Sequence, residues 1–276
     1  MKKNKLSPKY LSKQLSYKKH LKNKETLLLG ELKICMEDFA IENMDFPHLS
    51  MKTNSDNSKS KSESLIAKEL GYENIKKLLD ITSSSQISDA LNNIAKRNGV
   101  IDDVNSINNK KAYGRVVTVK TSSDDWGTCL YGIDEAKKGN ILFIQTYGKS
   151  SAIWGELTSS CSKEKELGGT VILGATRDID FIINYDYPVF ASETVPNAGS
   201  ALGLGEVNTS LEIGETNKFT INPGDFIYGD ESGVVHVPQE LFSEVMLETL
   251  KIKVKESNIL SEIKKGKSLS EIVGLK

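Results

Sequence analysis

The chain has 276 residues, 38% hydrophobic and 26% charged, which suits a globular protein with one large core or two modest ones. A net charge of -1 excludes a generally basic nucleic-acid binder, and no run approaches the ~20 apolar residues that span a bilayer. Cys35, Cys129 and Cys161 are few, odd in number and match no metal-ligand spacing, which sets an expectation of reduced thiols and a cytoplasmic location.

The charge is unevenly spread. The first 25 residues hold nine lysines and a single acid, Glu25, so this end carries +8 and the remainder -9. Its lysines lead into no apolar signal-peptide core. Residues 1–24 intersperse them with Leu6, Tyr10, Leu11, Leu15 and Leu21. That pattern leaves two readings open: a solvated tail, or a helical docking arm for an acidic partner, a membrane surface or nucleic acid. Nucleic-acid contact is expected nowhere else. Residues 25–49 read as a helix carrying Leu27, Leu28, Leu29, Leu32, Ile34, Met36, Phe39 and Ile41, stopped by Pro47. The Ser- and Asn-rich stretch 53–62 reads as a flexible linker. Residues 63–80 again read as a helix, and Thr82 to Ser85 offer N-caps for a short helix over Gln86–Ala95.

From Gly99 to Val237 short β-branched runs are punctuated by Gly, Asn and Asp. The expected strands are Arg115–Lys120, Asn140–Thr146, Thr170–Leu173, Pro188–Ala191, Gly205–Glu212 and Val234–Val237, with another inside Pro223–Val235 between two Gly-Asp turns. Helices are expected over Asp125–Ala136 and Ile153–Glu166, and a long amphipathic one from Gln239 to about Lys265. This is a mixed α/β pattern. His20, His48 and His236 are scattered, and His236, inside a strand, reads as a packed side chain.

One constellation carries chemistry. Trp154-Gly155-Glu156-Leu157 is followed by the apolar run Thr170–Leu173, then Gly174-Ala175-Thr176, then Arg177-Asp178 where that strand stops. The planar fork of an arginine grips a carboxylate bidentately. An aspartate is a hard oxygen ligand suited to Mg²⁺ or Mn²⁺. Together Arg177 and Asp178 can hold a small 2-oxo acid against a divalent metal.

The order of motifs extends this. Gly114-Arg115-Val116-Val117-Thr118-Val119, Lys138-Gly139-Asn140, Gly155-Glu156-Leu157, Gly174-Ala175-Thr176-Arg177-Asp178, Tyr187-Pro188-Val189-Phe190 and the double Gly-Asp segment closing at Val237-Pro238 together resemble the RraA-like family, from about Ile81 to Leu275. That family holds the regulator of ribonuclease activity A and class II pyruvate aldolases for 4-hydroxy-4-methyl-2-oxoglutarate and 4-carboxy-4-hydroxy-2-oxoadipate. The resemblance implies a swivelling β/β/α domain over 78–252. A basic, mostly helical extension (1–77) would precede it, and a C-terminal helix and tail (253–276) would follow. It also implies a homotrimer or hexamer with sites at subunit interfaces.

In that family's pattern Arg177 holds the substrate carboxylate and Asp178 the metal. Glu156 reaches the metal through water, and so does Glu256 from a neighbouring subunit. Backbone N–H groups of Gly155 and Leu157 would meet the substrate, as helix N-termini favour anions. The implied activity is divalent-metal-dependent lyase chemistry on a small 2-oxo acid, either retro-aldol cleavage to pyruvate or oxaloacetate decarboxylation, through a metal-stabilised enolate. Two alternatives stand beside it. One is a non-enzymatic regulator of a protein partner such as a ribonuclease; the other is a specialised biosynthetic enzyme that reuses the metal site. Phe181 and Asn140 depart from the family pattern, each standing where active relatives carry an acid.

Overall fold

The computed structural model describes residues 72–214 and 218–275. The basic tail (1–24), the helix expected over 25–49, the linker near 53–62 and the first part of the helix expected over 63–80 lie outside the described residues. The chain divides into two units, residues 83–249 and residues 1–82 with 250–276.

The larger unit is built on one ten-stranded mixed sheet, in the order β1-β12-β11-β3-β4-β6-β7-β2. The strands are β1 (Val100–Ile101), β2 (Asn105–Ser106), β3 (Ala112–Ser122), β4 (Ile141–Tyr147), β5 (Ala152–Trp154), β6 (Gly169–Thr176), β7 (Val189–Thr194), β8 (Glu206–Val207), β11 (Phe226–Asp230) and β12 (Gly233–Val237). β5 lies against β6 and β8 against β3. A separate ribbon pairs β9 (Leu211–Ile213) with β10 (Phe219–Ile221).

β3, β4, β6 and β7 run parallel, and β5 joins them parallel to β6. Parallel strands are covered on both faces, so they read as unbroken apolar runs. Along β4, Leu142 and Ile144 enter one apolar cluster while Ile141 and Phe143 enter the other. The first cluster includes Cys129 and Ile133 of α3 (Gly127–Glu135) and Ile182 of α5 (Ile179–Asn184). The second includes Leu211, Ile213 and Ile221 of the small ribbon. The parallel sheet is thus packed between helices on one side and a β-ribbon on the other.

α2 (Ser84–Ala95) is capped by Ser83, whose hydroxyl accepts from Gln86 N–H while Gln86 returns a bond to Ser83 N–H. Ser84 fixes its start to the sheet, donating from N–H (2.8 Å) and Oγ (2.7 Å) to Asp230 at the end of β11. His236 of β12 is fully buried, with Nε2 2.8 Å from Asp225 Oδ2. Asp225 also accepts from the N–H groups of Asn222 and Gln239. Burial raises its carboxyl pKa, and these partners outweigh burial and hold it below the ordinary range. His236 Nδ1 is buried with no partner among the described residues.

The smaller unit contributes α1 (Tyr72–Ile81), the C-terminal part of α6 (Phe242–Lys264) from Leu250 onward, and α7 (Leu269–Ile272), among its described residues. Lys253 Nζ donates to Ile81 O at 2.5 Å, tying α6 to the end of α1. Ser268 caps α7, and Glu262 is gripped by Lys265 and Lys267.

Several sequence expectations need correction. Ile153 and Trp154 are strand residues of β5, and the helix expected over Ile153–Glu166 is α4 (Glu156–Glu164). The strand expected over Gly205–Glu212 is two strands, β8 and β9, separated where Asn208 takes a left-handed backbone (φ 57°). Asp125 stands outside α3, and the long C-terminal helix begins at Phe242 after a short 3₁₀ turn, Gln239–Leu241.

Candidate functional site

The C-terminal ends of the five parallel strands share one edge of the sheet, the usual place for a site in a parallel α/β sheet. Ser122, Tyr147, Trp154, Thr176 and Thr194 end those strands. The loops that follow are tied together. Ala152 N–H donates to Asn197 O (2.8 Å), Ser200 N–H to Asp124 O (2.7 Å), and Ser151 Oγ to Asp124 Oδ1 (3.0 Å).

Arg177-Asp178 leaves β6 beside Gly155, which leaves β5. Arg177 N–H donates to Trp154 O (3.0 Å) and Thr176 Oγ1 donates to the same oxygen (3.2 Å), so the two strand ends are held level. Trp154 is anchored in turn through its indole N–H, which donates to Ser159 Oγ at 2.9 Å. Asp178 precedes α5 in a left-handed conformation, φ 58° and ψ 43°. Aspartate tolerates that region better than most side chains.

The conformation turns the carboxylate toward the start of α4. Glu156 N–H donates to Asp178 Oδ2 at 3.0 Å, and Arg177 Nε lies 3.5 Å from the same oxygen. Among the described residues Asp178 Oδ1 takes no hydrogen bond. Gly155 makes the approach possible, since a Cβ there would lie 2.4 Å from Asp178 Oδ2 and 3.1 Å from Arg177 Cγ. Arg177 and Asp178 are both partly exposed, at 41% and 35% of their side chains.

At the first turn of α4, Glu156 N–H is used by Asp178 and Ser159 N–H returns to Gly155 O. Gly155 N–H donates to Thr158 Oγ1. The N–H groups of Leu157 and Thr158 find no acceptor among the described residues. Unpaired N–H groups at a helix start, beside a guanidinium, suit a carboxylate. The site therefore offers anion donors from Arg177 and α4, and oxygen ligands from Asp178 and the exposed Glu156.

No three His, Cys, Asp or Glu side chains converge into a ready metal cluster among the described residues. The donor set still fits a hard divalent cation of the kind that takes one or two carboxylates and fills its shell with water and a chelating substrate. The carboxylate with one oxygen committed and one open is the observation that meets that test.

The structure thus brings Gly155, Glu156, Leu157, Arg177 and Asp178 together. Glu256 lies on α6, in the smaller unit. Phe181 packs its ring 4.6 Å from Tyr185, and Asn140 ties a turn, accepting from Lys137 N–H and donating to Arg115 O.

Sequence reasoning missed Asp125, which is 1% exposed. Its carboxylate accepts from the hydroxyls of Thr121 and Thr128 and the N–H groups of Gly127, Leu202, Gly203 and Leu204. Burial raises its pKa, but the Thr128 hydroxyl and the Gly203 and Leu204 N–H groups outweigh burial and hold it far below the carboxylate range. Asp125 thereby fixes the loop that follows Gly199. Two adjacent acids in the loop after a strand, Asp124-Asp125, were the signal available.

A profile of the RraA-like family, described as Aldolase/RraA, matches residues 84–236. An uncharacterised protein of Methanocaldococcus jannaschii is 36% identical over 171 residues, covering 61% of this chain and 80% of its own. A protein of Halalkalibacterium halodurans, named as a candidate 4-hydroxy-4-methyl-2-oxoglutarate aldolase, is 30% identical over 186 residues, covering 67% of this chain and 80% of its own. A crystal structure of an uncharacterised protein from Pseudomonas syringae pv. tomato is similar at a TM-score of 0.63 and 26% identity, over 72% of this chain and 96% of that one. The profile runs from α2 to β12 and takes in both halves of the site, the Gly155 turn and the Arg177-Asp178 strand end; the chain belongs to the RraA-like family.

Proposed function

We propose that the protein is a divalent-metal-dependent carbon–carbon lyase acting on a small 2-oxo acid, by retro-aldol cleavage to pyruvate or by oxaloacetate decarboxylation. One observation carries the reading: Asp178 commits Oδ2 to Glu156 N–H and Arg177 while Oδ1 stays open, at a strand end that also presents a guanidinium and a helix start.

Arg177 binds the substrate carboxylate, and the Leu157 and Thr158 N–H groups add donors for it. Asp178 Oδ1 is the protein oxygen for Mg²⁺ or Mn²⁺, with Glu156 beside it. The cation, when bound, supplies Lewis-acid polarisation of the 2-oxo group. Arg177 and the α4 N–H groups fix the acid so that the bond to be broken lies across the carbonyl plane, where its electrons can pass into the carbonyl. Glu156 is the exposed carboxylate placed to take or return the proton exchanged in the step. Glu256 would enter from a neighbouring subunit of a trimer or hexamer. A cytoplasmic location belongs to the same proposal.

Support comes from the family and from the candidate aldolase name of a relative. The test is pyruvate release from oxaloacetate and from 4-hydroxy-4-methyl-2-oxoglutarate, with Mg²⁺ or Mn²⁺ and with chelator. Turnover that needs metal and disappears in Arg177→Ala and Asp178→Ala is expected. An Asp178→Ala variant with undiminished metal-dependent turnover would remove the mechanism.

A further inference from the structure

Beside Arg177, the same edge of the sheet carries a second cation, and strand register fixes its place. Lys149 lies in the turn between β4 and β5, and its Nζ is 3.6 Å from Oε1 of Glu193, near the end of β7. β6 runs between these two elements. Ala175 of β6 faces Ala152 of β5 on one side and Glu193 of β7 on the other. To meet Glu193, the Lys149 side chain crosses β6 at the level of Ala175. The methyl of Ala175 is small enough to lie beneath that crossing, and Ala175 is 1% exposed.

The crossing lies on the face that bears the site. Residues paired across neighbouring strands point to one face, and so do residues two apart on one strand. Glu193, Ala175 and Arg177 therefore share a face. Gly155 agrees with this. It follows Trp154, the partner of Thr176, and a Cβ on it would point at Arg177 Cγ, 3.1 Å away, and at Asp178 Oδ2. Ala175 and Arg177 are two residues apart, which is about 7 Å along a strand. The arginine and the lysine thus offer two positive charges on one face, at a spacing that suits the two carboxylates of a short diacid.

The hold of Glu193 on Lys149 is loose. A separation of 3.6 Å exceeds hydrogen-bond length, and the two side chains are 46% and 54% exposed, where an ion pair adds little to stability. An ammonium has three donors, so Lys149 can accept a further anion without leaving Glu193.

We propose that Lys149 binds the distal carboxylate of a dicarboxylic 2-oxo acid whose first carboxylate is held by Arg177, and so selects diacids over monoacids of the same length. This role rests on Arg177 being an anion anchor, as under Proposed function. A monoacid would leave the ammonium with Glu193 alone and gain nothing from it.

The test is isothermal titration of the full chain, with Mn²⁺ present, using 2-oxoglutarate and 2-oxopentanoate. These share one carbon chain and differ in the distal carboxylate alone. The natural protein should bind the diacid about tenfold more tightly. Lys149→Ala should weaken the diacid by about tenfold and leave the monoacid within about twofold, so that the preference disappears. Lys149→Arg should keep the preference. Lys149→Ala/Glu193→Gln removes the acid that the first variant uncovers, and it should lack the preference as well; its return there would overturn a direct contact with Lys149. Arg177→Ala should weaken both ligands. If it weakens neither, or if neither ligand binds the natural protein, the reading of the Arg177 site fails and the role of Lys149 falls with it. If Arg177→Ala weakens both while Lys149→Ala leaves the diacid unchanged or weakens both ligands alike, the role of Lys149 alone is overturned.

Discussion

Gly155→Ala is the sharpest perturbation of the candidate site. The backbone at Gly155 is extended (φ -178°, ψ -152°), so the substitution meets no left-handed strain and acts only through the space its methyl fills. That methyl would lie 2.4 Å from Asp178 Oδ2, whereas ordinary contact begins near 3.4 Å. The carboxylate must therefore retreat by about 1 Å. Its bond from Glu156 N–H, 3.0 Å long, would then be lost. Arg177 Cγ, 3.1 Å from the same methyl, is pushed the same way. A displacement of ~1 Å in a positioning group costs on the order of 10²-fold in rate. The stability cost is about 1 kcal/mol, discounted because Asp178 is partly exposed. The assay is kcat/KM for pyruvate release beside a thermal melt. A fall of about 100-fold with little change in melting temperature is expected. A rate within threefold of the natural protein, in a folded variant, would refute the claim that Asp178 and Gly155 set the geometry of the site.

Three further outcomes follow from buried polar groups. Asp125→Asn should lower stability by about 3 kcal/mol, because an amide cannot accept from every hydroxyl and N–H that the carboxylate serves. Because the folded carboxyl sits below its unfolded value, its contribution is complete above about pH 4 and is lost as pH falls; urea melts from pH 6 to 3 should show a shallower acid loss in the variant. His236→Ala should cost about 3–4 kcal/mol by urea titration, since it opens a cavity and strips buried Asp225 of a partner; a loss under 1 kcal/mol would mean the pair is dispensable. Trp154→Phe removes the indole donor of a 2.9 Å bond to buried Ser159 and should cost about 1–2 kcal/mol, with an equal midpoint shift absent in Ser159→Ala/Trp154→Phe relative to Ser159→Ala alone.

The legible parts of the fold were those whose pattern is local. Ile141-Leu142-Phe143-Ile144 announces a strand because both of its faces are buried, and Thr170–Leu173 does the same. β5 was hidden because it is three residues long, flush against a helix, and exists through pairing with β6 and a bridge to Ala198, both remote in sequence. Ala152-Ile153-Trp154 fits a buried helix start as well as a strand. β8 and β9 merged in the sequence reading because nothing nearby shows that Asn208 turns left-handed. At the site, the end of β6 was readable, so Arg177 and Asp178 could be placed on a loop. The bond from Glu156 N–H to Asp178 spans 22 residues and could not be read. Asp125 was read into a helix because its donors at Leu202, Gly203 and Leu204 are remote in sequence and donate through backbone, which leaves no residue-type signal.

The division of labour within Asp178 is what the proposed ligand role needs and a mere helix cap does not. A cap that served only α5 would turn its carboxylate onto the N–H groups of its own first turn, yet Asp178 makes no such bond. It holds instead a left-handed backbone, at a cost of about 1 kcal/mol, and spends Oδ2 on the start of a different helix. Arg177 adds its guanidinium to the same oxygen. Both partners act to fix the carboxylate plane, and neither uses Oδ1. Gly155 then removes the one side chain that would block the arrangement. A strained residue, a missing side chain and an uncommitted oxygen coincide where two parallel strands end. The same coincidence explains why Asp178→Asn should be more harmful than its size suggests. An asparagine could keep its carbonyl on Glu156 N–H only by turning an uncharged –NH₂ outward, where the proposed cation needs an oxygen. Isothermal titration with Mn²⁺ and pyruvate should show that loss as at least a tenfold weaker affinity while the melting temperature stays within a few degrees. Equal affinity would return Asp178 to a purely structural role.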